Sequence, residues 1–150
     1  MIDKKFIGTE SPPVSIEVEK YPIRFFALSI GETNPIHLDE AAAKAAGYAS
    51  LVAPPTYAFC LNSMAGQSGG SRNNLYQEMG VNMARVLHGE QSFTYHKPIV
   101  AGDVLTFRPK VVDIYDKKNG ALDFIVQETA VTNQRGERVV DTRTVIVVRN

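Results

Sequence analysis

The sequence has no tryptophan, a single cysteine and no excess of either charge, sixteen basic residues standing against sixteen acidic ones. One cysteine, Cys60, excludes an intramolecular disulfide framework and suits a reducing cytoplasm. A zero charge balance leaves no electrostatic footprint for nucleic acid or for an anionic membrane surface. No run of about eighteen apolar residues occurs, so no membrane-spanning helix is expected. The first residues, Met1-Ile2-Asp3-Lys4-Lys5-Phe6, lack the apolar stretch and small-residue cleavage site of a signal peptide. These absences together lead to the expectation of a soluble, cytoplasmic protein.

What is present fits one domain over residues 1–150. A chain of this length buries about 68–70% of its unfolded surface, so neither metal nor disulfide is needed for a core. His88 and His96 lie in an alternating stretch without neighbours at metal-ligand spacing, and read as sheet residues. No metal and no cofactor are expected. Cys60 reads as a small core hydrophobe.

The hydrophobic period changes midway. Residues 14–18 alternate as a short strand. Residues 19–30 then take helical spacing, with Pro22 in the first turn. Ile23, Phe26, Ala27 and Ile30 form its apolar stripe, which Phe25 and Leu28 widen, and Gly31 is a natural stop. Asp39 is positioned to cap a short helix over 40–46. A third helix over 57–65 is apolar on nearly every side, and Gly66 ends it. Residues 67–74 read as a mobile loop, with Arg72 a candidate lid or phosphate contact. Four strands follow over 86–96, 104–115, 121–132 and 139–148, with turns at Asn119-Gly120 and Arg135-Gly136. Pro109 marks an edge or a bulge. The result is an α+β domain in which a curved antiparallel sheet wraps a buried helix. An uncovered sheet edge favours a second subunit, so a dimer is expected.

Between the first two helices lies Gly31-Glu32-Thr33-Asn34-Pro35-Ile36-His37. Pro35 fixes its own φ and removes a donor, and Asn34 before it is pushed to extended geometry. The segment is therefore a shaped loop carrying a carboxylate and an imidazole, a plausible acid–base pair.

Phe26-Ala27-Leu28-Ser29-Ile30-Gly31-Glu32-Thr33-Asn34-Pro35-Ile36-His37-Leu38-Asp39 resembles the hydratase signature of MaoC-like and R-specific enoyl-thioester hydratases. Ala53-Pro54-Pro55-Thr56 and residues 89–103 resemble one branch of that family. It holds the single-domain (3R)-hydroxyacyl-ACP dehydratase subunits and the N-terminal MaoC-type dehydratase domains. The resemblance spans nearly the whole chain.

It implies a hot-dog fold, a curved antiparallel sheet wrapped around a central helix, and a site near a subunit interface. It also implies reversible syn addition of water to a trans-2-enoyl thioester of CoA or ACP, giving the (3R)-hydroxyacyl thioester. Glu32 and His37 map onto the catalytic pair. Asn34, Thr56 and Tyr57 are the expected substrate-binding residues. Asn34 also suits loop support, and Tyr57, Phe59, Leu61 and Met64 suit core as well as tunnel lining. The expected assembly is a homodimer, or a heterodimer with a related MaoC-like subunit, without nucleic acid or membrane. Lys97, Arg108 and Lys110 are candidates for the phosphates, with solvated strand charges the plainer reading.

The sequence departs from the family in two places. Glu32 stands where Asp is usual, and a displacement of roughly 1 Å can cost 10²-fold in rate. Pro54-Pro55 replaces His-Gly at the helix start, so the oxyanion donor falls to the Thr56 N–H. Two other readings remain at this point: a hot-dog acyl-CoA thioesterase, and a non-catalytic acyl-binding or partner subunit.

Overall fold

The short-range rules place most of the elements. Gly31 takes φ 72° and closes the first helix, with Gly31 N–H on Leu28 O and Glu32 N–H on Ala27 O. That is the paired bonding of a glycine-terminated helix end. Asp39 caps the next helix through the Ala41 and Ala42 N–H groups. The computed structural model describes every residue except Gly70, and no side chain over 67–74.

The helices are α1 (Lys20–Ser29), α2 (Glu40–Ala45), α3 (Tyr57–Gly69) and α4 (Ser71–Glu78). The strands are β1 (Val14–Glu17), β2 (Val86–Tyr95), β3 (Val104–Lys117), β4 (Leu122–Thr132) and β5 (Arg138–Arg149). They form one five-stranded sheet in the order β1-β3-β4-β5-β2, antiparallel throughout. The expected α+β hot-dog architecture is therefore observed.

One face of α3 presents Tyr57, Ala58, Leu61 and Ala65 to Leu105, Phe107, Val131 and Val140 of the sheet. A second apolar cluster joins Leu75 and Met79 to Val111, Ile114, Ile125 and Val148. Both strands at the ends of the sheet order are short of neighbours, and β2 is exposed along most of its length. Among the described residues no helix is long and apolar enough to cross a membrane.

Several expectations need correction. The third helix does not stop at Gly66 but continues to Gly69, and α4 begins at Ser71, so helix runs through most of the loop expected over 67–74. Leu75 and Met79, four residues apart, put both side chains on one buried face and hold α4 down. Arg72, the candidate lid residue, lies outside the residues whose side chains are described. Helix α3 is not buried all round, since Phe59 and Met64 are exposed. On α1, Ile23 and Ala27 are buried as expected, but Phe25, Leu28 and Ile30 face outward. Pro109 is neither edge nor bulge: β3 lies between β1 and β4, and the register shift falls beyond it, at Val111/Asp113. Its carbonyl accepts from Ser11 N–H. A residue's N–H and C=O point to the same side, so the donor that proline lacks would face this irregular segment and not β4.

Candidate active site

The glycine that ends α1 delivers Glu32 directly into the loop. The Glu32 carboxylate turns back on its own backbone, Oε1 accepting from the N–H groups of Thr33 and Asn34, both at 2.9 Å. Those two bonds, Asn34 first, hold its carboxyl below the usual carboxylate range. One oxygen is thereby tied to the loop, and Oε2 is left for a ligand.

Asn34 caps the 3-10 turn Pro35–His37, its side-chain oxygen accepting from Ile36 N–H at 3.3 Å. That turn carries His37 into the interior, where it is 7% exposed. Its Nδ1 lies 2.7 Å from the Val52 carbonyl oxygen. A carbonyl only accepts, so Nδ1 carries the proton and a neutral ring keeps its lone pair on Nε2. Val52 is itself held, its N–H on Ile36 O and its bridge to Val100 fixing the strand-like segment. The imidazole is therefore held through a backbone that is itself fixed.

Immediately beyond Val52 the chain passes through Ala53 and Pro54 into α3. Tyr57 N–H bonds Pro54 O, and Phe59 N–H bonds Thr56 O. Thr56 N–H has no acceptor among the described residues. Tyr57 is buried in the core, its ring centroid 5.0 Å from that of Phe26. Of the five expected site residues, Glu32, Asn34 and His37 thus share one loop. Thr56 stands at the exposed helix start, and Tyr57 turns into the core.

Two participants were not legible from residue patterns. Val52 acts through its backbone and has no side-chain signature. Tyr95 of β2 donates from its hydroxyl to Pro55 O at 2.6 Å, pinning the start of α3 to the sheet. Burial pushes that phenol up to about 12. His88 lies in β2 with its ring 4.9 Å from that of Phe59, and His96 pairs with Asp141 at 2.7 Å. Cys60 is half-buried against the core, and its thiol is raised by burial. Among the described residues no group of His, Cys, Asp and Glu gathers as metal ligands do. Lys97 pairs with Glu137, Lys110 with Glu10, and Arg108 donates to Thr132, all as surface contacts.

A buried imidazole and an ionised carboxylate on one loop, ahead of a helix start, are side chains that can serve acid–base chemistry. Residues 5–142 match the family model of the FAS1-like dehydratase domain region. The chain belongs to that family. A UPF0336 protein of Saccharopolyspora erythraea is 38% identical to this dehydratase-region chain, over 99% of its length and 92% of the relative's. A chain of the C-terminally truncated HadBC complex of Mycobacterium tuberculosis, a 3R-hydroxyacyl-ACP dehydratase, superposes with a TM-score of 0.79 at 27% identity. That match covers 95% of this chain and 96% of the other. The R-hydratase PhaJ1 of Pseudomonas aeruginosa gives 0.70 at 22% identity, over 96% and 82%, and so shares the fold. The loop motif thus identified the MaoC-like hot-dog family correctly.

Proposed function

We propose that this member of the dehydratase-region family is a hydro-lyase that adds water reversibly to trans-2-enoyl thioesters. Its products are (3R)-hydroxyacyl thioesters carried on CoA or ACP. The observation that carries the reading is the His37 Nδ1–Val52 O bond, which occupies Nδ1 and supports Nε2 as the base, with Glu32 on the same loop.

The chemistry follows from those two groups. One water sits between Glu32 Oε2 and His37 Nε2. His37 takes a proton as the water oxygen bonds to C3, and the C2–C3 π electrons move toward the thioester carbonyl. The α3 start, with the Thr56 N–H and the helix dipole, stabilises the resulting oxyanion. The imidazolium then returns its proton to C2 on the face from which oxygen came. The sum is one water added syn, with no group consumed. Glu32, ionised through its bonds to Thr33 and Asn34 N–H, orients the water and offsets the imidazolium charge. Proton transfer by a placed side chain contributes typically about 10²–10⁴-fold.

The assembly belongs to the same reading. The open edge of β2, along which Leu87 is exposed, pairs with a second subunit, a copy or a related MaoC-like chain. Incubating the protein with crotonyl-CoA and resolving the product on a chiral phase tests the reaction. The (3R)-hydroxybutyryl thioester supports it, and release of free CoA with the double bond intact supports a thioesterase instead.

A further inference from the structure

The interior beneath α3 is not apolar throughout. The two apolar clusters are separated, on the inner face of the sheet, by rows of polar side chains. In one row Gln91 of β2, Thr144 of β5 and Gln127 of β4 are direct cross-strand partners. In the next, Phe93 opposes Thr142, which opposes Thr129. Residues directly opposite in paired strands share a face. Phe93 packs against the cluster beneath α3, and Val140, two residues from Thr142, belongs to it, so this row points inward.

On the helix side Asn62 is buried, and Ala58 one turn before it, Leu61 beside it and Ala65 one turn after all belong to the cluster packed on the sheet. Part of the seam satisfies itself. Thr144 Oγ1 donates to Gln91 Oε1 at 2.8 Å, and the Tyr76 hydroxyl donates to Gln127 Oε1 at 2.9 Å. Asn62 Oδ1 and Thr142 Oγ1 do not: their residues are 4% and 3% exposed, and neither atom has a partner among the described residues. Unpaired buried polar atoms are costly, and Leu or Val would fill these positions without that cost. Two such oxygens, one on the central helix and one on the sheet, point to a guest that supplies the missing hydrogen bonds.

We infer that this seam is a polar subsite for a hydroxyl carried on the acyl chain of the thioester, several carbons beyond C3. The inference rests on the reading of the chain as an acyl-thioester enzyme. His37 bonds Val52, and Val52 leads through Ala53 and Pro54 into α3, so the chemistry lies at the helix start. Asn62 is five residues beyond Tyr57, about 7.5 Å further along the axis. An acyl chain running from His37 along α3 therefore meets the seam partway down. A hydroxyl offers a proton to the Asn62 amide oxygen and a lone pair to the Thr142 hydroxyl. A plain alkyl chain offers neither and would strand both oxygens.

The test is calorimetric titration of the intact protein with octanoyl-CoA and ω-hydroxyoctanoyl-CoA, saturated thioesters that bind without turning over. The wild type is expected to bind the hydroxylated chain about tenfold tighter, and Thr142→Val and Asn62→Leu each to erase or reverse that preference. Thr142→Val keeps the side-chain shape, so it decides the matter if Asn62→Leu fails to fold. Equal binding by the wild type, a preference that survives both substitutions, or no binding of either chain overturns the inference and leaves the seam to ordered water. Crotonyl-CoA hydration by the wild type, measured in parallel, separates the two readings. Hydration without hydroxyl preference removes the subsite alone, and preference without hydration removes the reaction alone.

Discussion

The Nδ1–H of His37 donates to the carbonyl oxygen of Val52, fifteen residues away in sequence, at 2.7 Å. That bond gives one nitrogen a structural part and leaves the other for the proposed chemistry. His37→Asn separates the roles, because the asparagine amide reaches the place of Nδ1 and still donates, yet has no basic nitrogen. The variant is expected to melt within a few degrees of the wild type while enoyl-thioester hydration falls by about 10²–10⁴-fold. Thermal melts beside steady-state rates check both halves.

Glu32 has a similar division. Its Oε1 is spent on the Thr33 and Asn34 N–H groups, so the charge matters separately from the loop bonds. Glu32→Gln keeps an oxygen for those donors but loses the charge, and kcat is expected to fall about 10²-fold. Glu32→Asp keeps the charge, and an aspartate readily accepts from the N–H two residues on. It is therefore expected to retain most of the activity. The order wild type, then Asp, then Gln in kcat/KM is the outcome to check.

The loop was readable in advance because its determinants are local: a glycine that ends α1, a proline that shapes the turn, and an asparagine and an aspartate that cap. The sheet was readable because its strands alternate. Helix α4 was not, since Ser71-Arg72-Asn73-Asn74-Leu75-Tyr76-Gln77-Glu78 is polar and follows a glycine-rich stretch that reads as a stop. Only the four-residue spacing of Leu75 and Met79 marked a buried face. Nor could any pattern show that the Val52 backbone orients His37, or that Tyr95 reaches Pro55. Both are contacts between distant segments.

Tyr95→Phe removes the hydroxyl that holds the Pro55 carbonyl and loosens the start of α3. A lost hydrogen bond of this kind costs about 1 kcal/mol. The midpoint of thermal unfolding is expected to fall by a few degrees. kcat is expected to fall with it if the helix start serves the oxyanion. Differential scanning calorimetry and kinetics on the same preparation report both.

Glu40 and Glu137 carry the largest carboxylate shifts and contribute to stability at acid pH. Glu40 is held at about 2 by its bonds to Lys20 and Lys44. Glu137 is held at about 2 by its bonds to Asn133, Lys97 and Arg135. Both lie below the unfolded value of 4.5, so the unfolded chain binds more protons in the interval between. Their contribution is full above about pH 4.5 and drains away as pH falls toward about 2. Glu40→Gln and Glu137→Gln are each expected to flatten the melting curve against pH in that window. The effect should shrink in high salt, since both groups are at the surface.

The β2 edge is expected to carry the subunit contact, with Leu87 exposed on it. Leu87→Lys puts a charge on that edge and is expected to shift the protein toward monomer at micromolar concentration. Light scattering behind size-exclusion chromatography reads the mass. An unchanged mass would move the interface elsewhere.

The central claim is that His37 Nε2 activates the attacking water. The direct measurement is the rate of crotonyl-CoA hydration by the wild type and by His37→Ala, with circular dichroism recorded on both. The expected result is hydration by the wild type and a loss of about 10²–10⁴-fold in a folded variant. Hydration by folded His37→Ala at the wild-type rate, or none by the wild type, would contradict it.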